Sequence, residues 1–173
     1  LGGWVLRTAC AQVKAWQERH PGEECWFSSF VGGIVSSEMY GIKCHILPNS
    51  MAVNTGSPSE EAVPAIVHGS VLLSASEVAG GLWPSKDLNP YRRFQSMKPD
   101  EEIDHGILVY RGDISMEDAG GTSRALMVIG KLHHQQTQEA LSLAEEAVAI
   151  VPNNLYAQWS LGDAREAVGK RVE

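Results

Sequence analysis

Hydrophobic positions recur with a helical period over the first twenty residues. Between residues 4 and 18, apolar side chains follow one another at helical spacing, and charged side chains lie on the opposite side. The apolar side is Leu6, Ala9, Cys10, Val13 and Trp16, and the charged side is Arg7, Lys14 and Glu18. Because the proline in His20-Pro21-Gly22 disfavours a helical residue before it, the spacing predicts an amphipathic helix over residues 4–18.

Short apolar runs follow, each bounded by Gly, Pro, Asp or Ser. They cover residues 25–31, 43–47, 70–76 and 106–110 and are rich in β-branched or aromatic side chains. The runs are nearly continuous instead of alternating, which is typical of strands buried on both faces of a sheet. With the preceding helix, they predict an α/β layer, here expected to be small and Rossmann-like.

Two stretches between these runs lack a clear period. Residues 47–64 carry Pro48, Pro58 and Pro64 among small polar residues, which predicts a long surface loop that could serve as a lid or contact surface. In the second stretch, residues 80–104, a short helix is predicted over residues 87–95.

The C-terminal third has the spacing of a repeated helical hairpin. Gly120-Gly121 is expected to interrupt the chain, and helix is expected from Thr122 onward except near Pro152, where an Asn can cap the next helix. Ala140, Ala147, Pro152, Leu161 and Gly162 fit a tetratricopeptide-like repeat of about 34 residues. Such repeats stack and leave a concave face for a protein or peptide. The predicted organisation is an α/β domain over 1–116 and a helical tetratricopeptide-like extension over 117–173.

Composition and charge narrow the function classes. The 173 residues carry a net charge of -7, and their 14 Lys and Arg form no run longer than Arg92-Arg93, which argues against nucleic-acid binding. No apolar run approaches the roughly 20 residues that cross a bilayer. Because the sequence starts at Leu1 without a Met or a signal-like segment, we expect a piece of a longer protein.

The three cysteines do not form a metal-binding pattern. Cys10, Cys25 and Cys44 show no C-x-x-C spacing and no His partner at zinc-finger distance. Buried thiols are the favoured interpretation for Cys10 and Cys25. A disulfide between Cys25 and Cys44 is left open as an alternative for an oxidising compartment.

Several motifs resemble the soluble C-terminal part of bacterial membrane proteins of the dolichyl-phosphate-mannose-type glycosyltransferase superfamily. The resemblance covers residues 10–113. Its motifs are Trp16-Gln17-Glu18-Arg19-His20-Pro21, Tyr40-Gly41-Ile42, Leu47-Pro48, residues 69–76, Gly81-Leu82, Pro90-Tyr91-Arg92-Arg93-Phe94, Pro99 and residues 104–110.

The resemblance implies a setting more than an activity. In such proteins a many-helix membrane domain carries the catalytic carboxylates and takes sugar from a polyprenyl-phosphate donor, and tetratricopeptide repeats can follow the soluble part. None of those carboxylates maps onto this chain. The resemblance therefore implies a non-catalytic accessory domain on the extracytoplasmic (periplasmic) face, attached to the membrane in the full-length protein. It would position an acceptor or a partner protein.

A second likeness concerns one helix alone. Residues 1–16 are similar to a helix of EAL-type cyclic-di-GMP phosphodiesterases, which need Glu-Ala-Leu upstream of that helix and several acidic metal ligands. Here Glu139-Ala140-Leu141 lies far downstream within a predicted repeat helix. We therefore expect no shared activity.

Candidate catalytic groups lack the surrounding motifs that their chemistry needs. A small hydrolase would use Ser74 with His105 and Asp104, but no Gly-x-Ser-x-Gly elbow is present. A phosphate cradle at Gly32-Gly33 lacks the Gly-x-Gly-x-x-Gly spacing. Adjacent His133 and His134 point apart on a helix and do not suit a metal. No catalytic residue, metal ligand or cofactor is predicted, and the hydrolase stays an alternative, as does a stand-alone scaffold that binds a peptide.

The best binding candidate combines aromatic rings and arginines. Trp83, Tyr91, Arg92 and Arg93 could stack on a sugar and grip its phosphate, which would suit carbohydrate or a polyprenyl-phosphate sugar. The alternative is that Trp83 and Phe94 fill the core while both arginines are solvated or paired with Asp100, Glu101 or Glu102.

Overall fold

The computed structural model describes residues 2–29, 40–104 and 106–169, and for residues 2–8 it describes the backbone only. Helices and strands follow one another in mixed order. They are α1 Gly2–Arg19, β1 Cys25–Ser28, β2 His45–Ile46, α2 Ser50–Thr55, β3 Ile66–Val67, β4 Ser70–Ser74, α3 Ala75–Ala79, β5 Glu101–Ile103, β6 Ile107–Arg111, β7 Ile114–Ser115, α4 Glu117–His133, α5 Thr137–Ile150 and α6 Leu155–Gly169. Two 3₁₀ turns, Lys86–Leu88 and Arg92–Ser96, lie between α3 and β5.

The main sheet has five strands in the order β2-β1-β4-β6-β5. Strand β1 is parallel to both β2 and β4, while β6 is antiparallel to both β4 and β5. Strands β3 and β7 form a separate antiparallel pair. The predicted α/β class is therefore confirmed, with a C-terminal helical region, and each of the four apolar runs contains a strand.

Helix α1 covers one face of the main sheet. The register pairs Phe27 of β1 with Leu72 of β4, which places both side chains on this face. They share a buried cluster with Val13 and Trp16 of α1. The predicted amphipathic helix is thus confirmed. Of its apolar side, Cys10, Val13 and Trp16 are buried against the sheet.

The opposite face is covered by α2, α4 and the segment between α3 and β5. Val71 and Leu73 of β4 contact this layer. It includes Val53 of α2, Leu126 of α4 and Phe94 of the second 3₁₀ turn. Strands β1 and β4 are therefore buried on both faces, as their continuous apolar runs predict.

Residues 47–64 are more ordered than predicted. They contain α2, whose N-cap Asn49 accepts a hydrogen bond from the amide of Ala52 at 2.8 Å. Leu47, Val53 and Val63 are buried in the core. The prediction of a long surface loop was wrong here, because three scattered apolar residues attach the segment to the sheet. The short helix predicted over residues 87–95 is replaced by the two 3₁₀ turns.

The glycine pair at 120–121 does not interrupt α4. A Cβ on Gly120 would lie 3.1 Å from the carbonyl oxygen of Val63, and one on Gly121 would lie 2.1 Å from a methyl of Val151. The missing side chains let the helix approach its neighbours closely. The expected interruption was wrong because this packing outweighs the low helix propensity of glycine.

Three helices pack together at the C-terminal end. Ala140, Ala144 and Ala147 of α5 are fully buried against α4 and α6. The turn between α4 and α5, where Gln135 has φ 58°, was not predicted. The turn at Pro152 was predicted. As expected for a cap, the side-chain oxygen of Asn154 accepts hydrogen bonds from the amides of Tyr156 and Ala157, in the first turn of α6. Helix α4 also belongs to the sheet core, so the division into domains at residue 116 stays a prediction.

We expect Gly121→Ala to lower the free energy of unfolding by about 1–3 kcal/mol, because the new methyl overlaps Val151 and forces α4 and α5 apart. Gly162→Ala is the matched control, since a Cβ there has no atom within 4 Å and should stabilise α6 by up to about 1 kcal/mol. Urea unfolding of both variants measures the difference. Equal stabilities would contradict the close packing of α4 on Val151.

Candidate functional site

The two predicted sugar-stacking rings are buried in the core. Trp83 donates its indole N–H to the carbonyl oxygen of Glu77 at 3.0 Å. Tyr91 is fully buried and donates its hydroxyl to the carbonyl oxygen of Pro48. Stacking on a sugar needs a ring face open to solvent, so the prediction that Trp83 and Tyr91 form a binding surface is corrected. Trp83 and Phe94 fill the layer over β4, as the alternative interpretation expected, and Tyr91 is buried with them.

The two arginines lie on the surface beside acidic groups. Arg92 forms an ion pair with Asp87 at 3.1 Å, and Arg93 donates to the carbonyl oxygen of Ser115 at 2.9 Å. Burial raises the pKa of Asp118, and the charges of Arg93 and Arg92 act in the opposite direction, so both guanidinium groups also lie in the field of this carboxyl. Their charge is therefore partly balanced by carboxylates of this chain.

The predicted catalytic and anion sites cannot be assembled from the described residues. Ser74 is buried at the end of β4, and its hydroxyl lies 3.1 Å from that of Ser76. His105 lies outside the described residues, as does the Gly32-Gly33 segment with Ser36 and Ser37. The hydrolase therefore stays an alternative, and the phosphate cradle, which the glycine spacing argues against, is not tested by the described residues.

A buried polar cluster lies beyond the carboxyl ends of the parallel strands. The carboxylate of Glu77 in α3 accepts hydrogen bonds from the amide and the hydroxyl of Ser50, at 3.0 and 2.8 Å. The carbonyl oxygen of Pro48 accepts from both Ser28 and Tyr91. Burial raises the pKa of the Glu77 carboxyl to about 7. Sequence reasoning missed this cluster, because a Glu in a short polar helix is usually exposed.

The most exposed large apolar side chains in the described part of the chain lie on α6. Leu155 and Trp159 are 57% and 64% exposed, and their spacing of four residues places them on one face of the helix. Gly162 continues this face, and its Cα has open space around it. Ala157, Leu161 and Ala164 on the other side are buried against α5 and α4. One face of α6 therefore packs, and the other presents an aromatic and an aliphatic side chain to solvent.

This exposed face is the candidate functional site, and we call it the α6 face, defined by Leu155, Trp159 and Gly162. Tryptophan is enriched among the residues that dominate binding energy in protein interfaces. The sequence indicated a partner groove in this region, but not which side of α6 would stay uncovered. In a helix with apolar residues on two sides, only the packing of α5 decides which side is buried.

Cys25 and Cys44 form a disulfide, with a Cα–Cα distance of 4.7 Å. The bond lies beside α1, in the cluster that contains Phe27 and Ile42. Cys10 is a free, buried thiol, and burial raises its pKa. The sequence left a buried thiol and a disulfide open for Cys25, and the structure shows the disulfide. For Cys10, the expected buried thiol is confirmed.

No helix among the described residues is long and apolar enough to cross a membrane. The same residues contain no group of three or more His, Cys, Asp or Glu side chains arranged to hold a metal ion.

We expect the double variant Cys25→Ser and Cys44→Ser to lose about 2–4 kcal/mol of unfolding free energy, because the disulfide restricts the unfolded chain. Protein folded under oxidising conditions should melt at a lower temperature after a reductant is added, and the double variant should not respond to it. Thiol titration of the untreated, denatured protein is the second measurement. Three reactive thiols instead of one would rule out the bond.

No family model matches this chain, and neither a curated protein nor a solved structure is significantly similar to it.

Proposed function

We propose that this chain is a non-catalytic accessory domain on the extracytoplasmic side of a membrane glycosyltransferase, where it positions an acceptor or a partner protein. The observation that carries the docking role is the α6 face. Leu155 and Trp159 are both more than half exposed, although seven alanines of α4, α5 and α6 are fully buried. Paired apolar side chains of this size, held on a packed helix, suit contact with a protein or peptide.

The stack of α4, α5 and α6 supports a tetratricopeptide-type extension. The three buried alanines of α5 and the close approach of Gly121 to Val151 are what stacked helical hairpins require. Parallel pairing of β2, β1 and β4, with helices on both faces, supports a small Rossmann-like layer beneath the stack.

The disulfide between Cys25 and Cys44 supports the extracytoplasmic location. Disulfides persist in oxidising compartments such as the periplasm and are rare in the cytosol, where thiols are kept reduced. The membrane attachment and the glycosyltransferase setting rest on the resemblance of residues 10–113 alone.

A stand-alone scaffold that binds a peptide is the second candidate, and the same α6 face favours it. The two candidates differ in what is joined to the chain. The gene upstream of the codon for Leu1 should encode several apolar segments of about 20 residues if the chain belongs to a membrane glycosyltransferase. A soluble upstream segment would contradict that setting and favour the scaffold.

The docking role is tested by site-specific photocrosslinking in the full-length protein in its own membrane. A photoreactive amino acid at position 159 should give one dominant protein adduct, because this position lies on the exposed face of α6. The matched control position is Glu18, an exposed residue of α1, which covers the other face of the sheet, and this position should give little of that adduct.

We further expect Trp159→Ser to weaken binding of the crosslinked partner at least about tenfold, since truncating a central Trp commonly costs 2 kcal/mol or more. Its melting temperature should stay close to that of the unchanged protein, because Trp159 is exposed. Equal adducts at positions 18 and 159, or unchanged affinity of Trp159→Ser, would contradict docking through the α6 face.

A further inference from the structure

Glu77 links two short helices from within the core. It lies in α3 and is fully buried, and the residue that donates to its carboxylate is Ser50, the first residue of α2. The Ser50 amide lies 3.0 Å from one carboxylate oxygen, and the Ser50 hydroxyl lies 2.8 Å from the other. One ionisable side chain therefore forms hydrogen bonds between α3 and the first residue of α2.

The described groups that bond to Glu77 are uncharged. No ion pair among the described residues includes Glu77. Ser50 approaches it from α2, and the indole of Trp83 bonds to its backbone oxygen. Tyr91 is a titratable neighbour of Glu77. Its pKa lies well above the ordinary value of a phenol, mainly because the ring is buried. Tyr91 therefore stays neutral while Glu77 titrates.

We propose that the contact between Glu77 and Ser50 is a pH-sensitive switch, which holds α2 against α3 while the carboxyl is protonated and loosens when the carboxyl ionises. The protonated carboxyl keeps its carbonyl oxygen for the Ser50 amide and can donate its own proton to the Ser50 hydroxyl. The ionised form is favoured by the two hydrogen bonds from Ser50, but the cost of burying its charge is larger, and no ion pair of the described residues balances that charge. This inference is independent of the proposed function.

The direction follows from the two protonation states. Burial raises the pKa of Glu77 to about 7, whereas a solvated Glu in the loosened state titrates near 4.5. The stabilisation is complete below pH 4.5 and is lost as pH rises towards 7, because only the closed state keeps its proton in that range. The equilibrium constant for opening should rise about tenfold per pH unit in this window, roughly 300-fold in total, and then stay level.

Two measurements on the whole chain test this switch. Hydrogen exchange of the amides in residues 50–55 and 75–79, corrected for intrinsic exchange rates, gives their opening constant between pH 4 and 8. The ¹³C shift of the Glu77 carboxyl carbon gives its titration midpoint directly. We expect a midpoint near 7 and an opening constant that rises with pH up to that value.

Glu77→Gln keeps an acceptor for the Ser50 amide but cannot ionise, so its opening constant should be nearly independent of pH. Glu60→Gln removes an exposed carboxyl and is the matched control, which should keep the pH dependence of the unchanged protein. A Glu77 midpoint near 4.5, or the same pH dependence in Glu77→Gln, would overturn the proposal. If Glu77→Gln does not fold, the titration of the Glu77 carboxyl and the pH dependence of hydrogen exchange in the unchanged protein still test the proposal.

Discussion

The structure depends on the burial of β4 on both of its faces. Val71, Leu72 and Leu73 are fully buried, so successive side chains of one strand require an apolar layer above and another below. Helix α1 supplies one layer, and α2, the 3₁₀ turns and α4 supply the other. Removing either layer would expose the strand. Helix α4 is therefore held against the sheet, and α5 and α6 pack on α4.

The same burial explains which parts of the fold could be predicted from the sequence. A strand with apolar layers on both sides needs apolar residues at nearly every position, so β1, β4 and β6 stand out as continuous runs. Strand β5, with Glu101 and Glu102, and the short strands β3 and β7 have no such pattern. They exist because backbone groups of a neighbouring strand lie beside them, which is a tertiary effect that a local pattern does not contain.

The candidate sites were harder to predict, for a related reason. A run such as Tyr91-Arg92-Arg93 shows which side chains are near one another in sequence, but not which of them point into the core. Packing turns Tyr91 inward and both arginines outward, which separates the members of the predicted surface. Trp159 lies within the predicted helical extension, and only the position of α5 shows that its side of α6 is uncovered.

The disulfide has a consequence for the segment between its two cysteines. Residues 26–43 lie inside a closed covalent ring, because Cys25 and Cys44 are joined across a separation of 19 residues. A protease that cleaves once within this ring produces two fragments that stay attached through sulfur, so the nicked chain keeps its mass apart from one added water. Such cleavage becomes visible only when a gel is run with reductant, and strand β1 stays tethered to the rest of the molecule after the backbone is cut.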